Sequence, residues 1–282
     1  MNQQHKRCDL HTHTQASDGM QAPKVNVQLA KERGLSALSI TDHDTVAGVE
    51  EAMVAGEQYG IVVVPGVEIS TRASGKDIHI LGYYVDYKDA KFRLRLGKLR
   101  ETRQLRNGKI IAKLQELDID ITLDDVVIGL GRPLLPDESI GRPHIADVLV
   151  EKGYASDMRD AFDRYLAEGA RAFISETRIS PEDACRWIRE AGGAPVIAHP
   201  GLYKDDVLVR EIIETANPAG IEVYHSDHGQ EEEARYLAMA EEYDLIVTGG
   251  SDFHGVRQGV VFHGDIGSVT VPINVLEQLN RI

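Results

Sequence analysis

The residues best equipped for chemistry are His11, His13, Asp18, Asp42, His43, Glu68, His79, His199, Asp252 and His254, each at or near the end of an apolar run. The runs read CDLHTHT, LSALSITDHD, IVVVPGVEIS, DIHILGYYVD, GGAPVIAHP, GIEVYHSDH and LIVTGGSDFH. A His-x-His pair such as His11/His13 puts two imidazoles on one face of a strand, because side chains alternate with period two. Thr41-Asp42-His43-Asp44 and Ser251-Asp252-Phe253-His254 place chargeable groups directly after apolar stretches. Burying such groups unpaired costs on the order of 2–7 kcal/mol for a neutral one and more for a charge. Any one of these histidines reads equally well as a hydrogen-bonded structural residue. Together they read as a multinuclear metal site, since ligands remote in sequence converge at the carboxyl ends of parallel strands in a barrel.

The elements that must position them alternate strand and helix over the first ninety residues. After CDLHTHT comes a helical pattern that Pro23 opens and Gly34 closes. After LSALSITDHD comes TVAGVEEAMVAGEQYG, a second pattern ending in glycine. IVVVPGVEIS is the near-continuous apolar run of a strand covered on both faces. DIHILGYYVD follows so closely that a turn or hairpin must join the two. From about residue 90 to 178 the rhythm is helical, with KDAKFRLRLGKLRETRQLRNGKIIAKLQELDID as one long helix. The alternation resumes at Ser180-Pro181, a helix cap followed by proline at the first helical position. The expected architecture is α/β: a seven-stranded barrel-like domain formed by residues 1–92 and 178–282, with a helical insert over 93–177.

Composition narrows the partners. Among 282 residues, 31 Lys and Arg face 45 Asp and Glu, a net charge of −14. Such a surface repels long polyanions, although bound divalent ions reverse the sign locally. Two cysteines, Cys8 and Cys185, stand in no metal-type spacing and suit a reducing compartment. The N-terminus has no apolar core of a signal peptide, and no apolar run approaches a membrane span. The expectation is a cytoplasmic protein with no membrane contact and no obligate protein partner.

Asp9-Leu10-His11-Thr12-His13-Thr14, Ser17-Asp18-Gly19, Thr41 to Asp44, Gly66-Val67-Glu68, His79, Ala198-His199-Pro200 and Ser251 to Gly255 occur in this order. In these motifs the chain resembles the polymerase-and-histidinol-phosphatase (PHP) family of metal-dependent phosphoesterases. The resemblance implies a distorted seven-stranded (β/α) barrel (the PHP fold), a helical insert domain capping the active site, and two or three divalent ions. His11, His13, Glu68 and Asp252 would hold the first, Glu68, His79 and His199 the second, and Asp18, His43 and His254 the third. Mixed imidazole and carboxylate ligands suit manganese, zinc or iron better than magnesium, and manganese is the expected ion. Water activated by the ions would attack phosphorus in line, with no protein nucleophile. Asp42 and Asp44 flank a ligand histidine and are expected to orient it or to hold water.

Within the family, HTHTQASDG, TDHDTVAG and Gly141-Arg142-Pro143-His144 resemble the branch acting on nucleoside 3′,5′-bisphosphates and on the 5′ ends of short RNA. A small phosphorylated nucleotide, or a short single-stranded oligonucleotide, is the implied partner. Arg142 and His144 are then candidates for a second, non-scissile phosphate, and bidentate bonding is the reason to want arginine there. Their structural alternatives are a surface ion pair and a helix cap. The basic run from Lys91 to Lys113 offers Arg103 as a further contact, though most of that run reads as a solvated face. Arg257 stands where relatives often carry lysine and is a further substrate candidate. His225 is a candidate for substrate contact and His228 for proton transfer, while His5 and His263 lie outside any motif. The competing readings are a histidinol-phosphate phosphatase, a catalytically silent metal-binding scaffold, and an amidohydrolase. The last normally requires a bridging lysine and a different ligand order.

Overall fold

The computed structural model describes residues 6–261 and 263–282, so His5 lies outside the described residues. Seven strands form where the apolar runs predict them. They are β1 (Arg7–Asp9), β2 (Ala37–Ile40), β3 (Val62–Ala73), β4 (Lys76–Tyr83), β5 (Ala194–Ile197), β6 (Gly220–His225) and β7 (Ile246–Gly250). A short hairpin follows, β8 (Val256–Arg257) with β9 (Val260–Val261), and then β10 (Val271–Pro272). The main sheet runs β10-β1-β2-β3-β4-β5-β6-β7. It has eight strands where the sequence predicted seven. The extra one is β10, whose two residues pair antiparallel with Arg7 and Cys8.

The sheet curls until its ends meet. The Leu10 N–H donates to the Gly249 carbonyl at 3.2 Å, and the His13 N–H to the Phe253 carbonyl at 2.8 Å. Both faces are covered, as the unbroken apolar runs require. Leu10, Val64, Leu81 and Val196 fill the interior, while Ile69, Ile80, Ile188 and Ile212 pack between sheet and helices.

The pairing is not parallel throughout. β3 and β4 form the expected hairpin, with Ser70 opposite His79, and β4 pairs antiparallel with β5 as well. His79 therefore reaches the rim from the amino-terminal half of a reversed strand, not from the carboxyl end of a parallel one. The reason is geometric: β4 begins at the rim where β3 ends.

Between β4 and β5 the described residues are helical, beginning with Ala90–Glu116. Asp89 caps it by accepting the Phe92 N–H at 2.6 Å. Phe92 and Leu96 pack this helix on the barrel. Its far end, with Ile110, Ile111 and Leu114, joins Ile145, Leu149, Met158 and Leu166 in a separate apolar cluster. Helices Leu123–Gly129 and Arg142–Glu151 complete that cluster, with a helix at Met158–Ala161 that continues as a π-turn over Phe162–Leu166. Ser180 caps helix Pro181–Glu190 by accepting the Asp183 N–H. Among the described residues, no helix is long and apolar enough to cross a membrane.

Candidate metal centre and its cavity

Glu68 leaves β3 with its side chain about 1% exposed and five imidazoles around it. His43 Nδ1 and His79 Nδ1 lie 2.8 Å from its oxygens, His199 Nε2 at 3.0 Å, His13 Nε2 at 3.3 Å and His11 Nε2 at 3.5 Å. Asp252 Oδ1 closes the group, 3.1 Å from His13 Nε2 and 3.3 Å from His11 Nε2. Beside it, Asp18 faces His254 at 3.3 Å and His13 and His43 at 3.8 Å. All nine residues expected to bind ions thus meet at one rim.

Local backbone choices make this possible. His199 and Asp252 hold positive φ values of 25° and 53°. Non-glycine residues adopt that region only where their surroundings impose it, and such strain clusters at functional sites. Two glycines are required by close approach. A Cβ on Gly250 would fall 2.3 Å from the His11 nitrogen, and one on Gly19 2.5 Å from the His13 carbonyl oxygen.

The buried polar atoms do not satisfy one another. His11 Nε2, both ring nitrogens of His13, Asp18 Oδ1, His43 Nδ1, Glu68 Oε2, His199 Nδ1 and Asp252 Oδ1 have no hydrogen-bond partner. Each such atom costs about 1–3 kcal/mol if nothing pairs with it. They fall into tight groups, including His13/Asp18/His43/His254, His11/His13/Asp252 and His43/Glu68/His79. Burial pushes the Glu68 carboxyl upward, but His43, His79 and His11 outweigh it and hold the group well below the usual range. Burial lowers His13, yet Asp252 and Glu68 raise it to about 10. Burial instead pushes His199 down to about 4, so the rings do not all hold protons, and the buried carboxylates mark a site that calls for positive charge, which divalent ions supply in place of protons. The donor set fits several such ions.

A cavity of about 230 Å³ opens onto this centre. Its lining includes Glu68, His43, His79 and Asp18, and also four arginines, Arg103, Arg142, Arg178 and Arg257, with Phe162 and Leu202 as apolar wall. Each guanidinium has a carboxylate partner. Arg103 pairs with Asp44 at 2.5 Å and donates to Ser70 Oγ at 2.7 Å. Arg142 pairs with Asp77 at 3.2 Å, and Arg178 with Glu176 at 3.1 Å. Arg257 pairs with Asp147 and donates to the Asp18 carbonyl at 2.5 Å. Arg103, Arg142 and Arg257 were expected at the substrate. Arg178, a lone arginine in an irregular segment, gave no sequence signal.

Other expected residues sit behind the cavity wall. His144 Nδ1 accepts the Gly141 N–H and caps its own helix, and burial lowers its pKa to about 4. His228 accepts the Gly201 N–H at 3.1 Å and donates to the Val223 carbonyl at 2.8 Å. Asp42 accepts from the Thr14 N–H, Thr14 Oγ1 and Ser17 Oγ at 2.6–2.7 Å, so it fixes the loop that carries Asp18. Asp44, besides holding Arg103, accepts the Ser70 N–H at 2.8 Å. His225 is 2% exposed. His263, outside any motif, lines the cavity and faces Asp252 at 3.6 Å. The basic run is largely neutralised: Lys91 and Arg95 share Glu190, Arg93 and Arg100 share Asp137, and Arg106 takes Glu176. Arg103 is its member in the cavity lining.

Comparison with known proteins agrees with this geometry. The PHP domain family model matches residues 9–117. A 3′,5′-nucleoside bisphosphate phosphatase of Chromobacterium violaceum is 34% identical over 255 residues, covering 89% of this chain and 88% of its own. A 5′-3′ exoribonuclease of Haemophilus influenzae is 36% identical, covering 88% of this chain and 90% of its own. A solved structure from Bifidobacterium adolescentis, assigned to the metal-dependent phosphoesterases, superposes with a TM-score of 0.88 at 30% identity, over 98% of this chain and 96% of its own. The sheet, the ligand-rich rim and these relatives lead to one conclusion: this chain belongs to the PHP family of metal-dependent phosphoesterases.

Proposed function

We propose that this phosphoesterase removes a phosphate monoester from small nucleotides, with nucleoside 3′,5′-bisphosphates as preferred substrates and the 5′ ends of short RNA as a second class. The observation that carries the reading is the double lining of the cavity, ion ligands and four arginines around one space. One phosphate at the ligand centre leaves the arginines for another. The relatives named for a bisphosphate phosphatase and an exoribonuclease support the same two substrate classes.

In this reading His11, His13, Glu68 and Asp252 hold one ion, Glu68, His79 and His199 a second, and Asp18, His43 and His254 a third, with manganese as the ion. When bound, ions of this kind bring the pKa of water near neutrality and offset charge on phosphoryl oxygens. The protein's own share is orientation. Glu68 hydrogen-bonds the rings of His79 and His199, Asp42 fixes the Asp18 loop, and the helical segment of residues 93–177 covers the cavity. Arg142 and Arg178 take the non-scissile phosphate, for which planar guanidinium forks are suited. Arg103 and Arg257 line the same cavity as further phosphate contacts, and Phe162 and Leu202 give the nucleoside an apolar surface.

The test is phosphate release from adenosine 3′,5′-bisphosphate with added Mn²⁺, beside 5′-AMP and histidinol phosphate. Release mainly from the bisphosphate is expected. Equal turnover of bisphosphate and 5′-AMP would remove the second-phosphate site, and preference for histidinol phosphate would replace the substrate class.

A further inference from the structure

β6 supplies no ion ligand in the assignment above, yet it buries two polar side chains under the centre, Glu222 at 0% exposure and His225 at 2%. Glu222 Oε1 lies 3.0 Å from His11 Nδ1, and Glu222 Oε2 accepts the His199 N–H at 2.8 Å. An ionised carboxylate only accepts, so His11 carries its proton on Nδ1. The lone pair on His11 Nε2 is then directed at Glu68 and Asp252, where that nitrogen has no hydrogen-bond partner. The bond to the His199 N–H anchors the residue whose φ is 25° and whose Nε2 stands 3.0 Å from Glu68.

His225 works on the other side. Its Nδ1 accepts the Asp227 N–H at 3.1 Å, which places its proton on Nε2. That N–H points at Asp252 Oδ2, 3.3 Å away. Asp252 is thereby engaged through Oδ2, and Oδ1 faces His11 and His13. With both ring nitrogens so used, His225 is left no atom for a ligand in the cavity.

We propose that Glu222 and His225 are positioning residues for the ions: Glu222 sets the tautomer of His11 and the backbone of His199, and His225 selects which oxygen of Asp252 is presented. This rests on the ion assignment proposed above. It predicts unequal damage. Glu222 serves ligands of the first and second ions, His225 a ligand of the first only, and neither touches Asp18, His43 or His254.

The experiment is Mn²⁺ titration of the full chain after chelator treatment, followed calorimetrically. In Glu222→Gln, one amide oxygen must serve two N–H donors and the amide N–H₂ opposes one of them. Two ions should weaken by about 10–100-fold, the range for losing such supporting partners, with the third unchanged. His225→Ala should weaken one ion. A purely structural role would lower all sites together, so uniform loss in both variants, or no loss, overturns the proposal. Should Glu222→Gln fail to fold by circular dichroism, His225→Ala decides alone, by loss at one ion against loss at none or all. A wild-type chain that binds Mn²⁺ beside unchanged variants sinks this inference only; a wild-type chain that binds none sinks the ion assignment with it.

Discussion

The two linings of the cavity are built in opposite ways. The ligand centre is incomplete by itself, with carboxylate oxygens and ring nitrogens buried without hydrogen-bond partners. The arginine lining is balanced in charge by itself, with Asp44, Asp77, Glu176 and Asp147 pairing its four guanidiniums and only Arg103 Nε and Glu176 Oε2 among these groups buried without a hydrogen-bond partner. The first lining calls for guests. The second holds its cations in place, and a phosphate bound there as proposed must compete with carboxylates already present. Under the proposed function, capture and chemistry belong to the centre, and selection to the arginines. The price of buried, paired guanidiniums is a weaker grip on phosphate than bare ones would have, in return for fixed direction.

Changes to the centre should have the largest effect. Glu68→Gln removes the charge shared by five imidazoles and should lower phosphate release by on the order of 10²–10³-fold on every substrate. Assays on bisphosphate and 5′-AMP check this, and a loss on only one of them would break the division between linings. Next in size is the fabric that carries the arginines. Leu149→Ala opens a hole in the apolar cluster between β4 and β5 and should cost about 2–5 kcal/mol in urea unfolding, while Mn²⁺ affinity at the centre stays as in the parent chain. Weakened Mn²⁺ binding in that variant would mean the two regions are not independent. The smallest effect concerns the cysteines. Burial, with Asp9 beside Cys8, pushes its thiol up to about 12, and burial does the same to Cys185. Neither should react with a thiol reagent at pH 8 until the chain is unfolded, and rapid native labelling would contradict that packing.

The same contrast explains what was legible in the sequence. Most ligands stand at or near the end of an apolar run, so the period and the terminal residue announce them together, whereas His79 lies early in a reversed strand and Asp18 in a turn. All seven predicted strands form, and the nine proposed ligands lie at one rim of the sheet they build. β10 escaped because two residues carry no period. Glu222 escaped because one charge inside GIEVYH looks like the outward residue of an alternating strand, and only the closed barrel turns it inward. The arginine lining is assembled from a long helix, a helix start, an irregular segment and a hairpin; Arg103, Arg142 and Arg257 are fixed by carboxylates distant in sequence, and Arg178 by Glu176 two residues before it. Arg178 and its partners could therefore not be read, and His144 turned out to be engaged in capping its helix.

The central claim is that the centre does chemistry while the arginines choose the substrate. Its most direct test is the ratio of kcat/KM for adenosine 3′,5′-bisphosphate to that for 5′-AMP, in the parent chain and in Arg142→Ala, at saturating Mn²⁺. Losing a charged hydrogen-bond partner of the second phosphate should cost about 1.5–3 kcal/mol on the bisphosphate, roughly 10- to 150-fold, with 5′-AMP turnover little changed. A parallel fall on both substrates would contradict the account and place Arg142 in the common machinery of the centre.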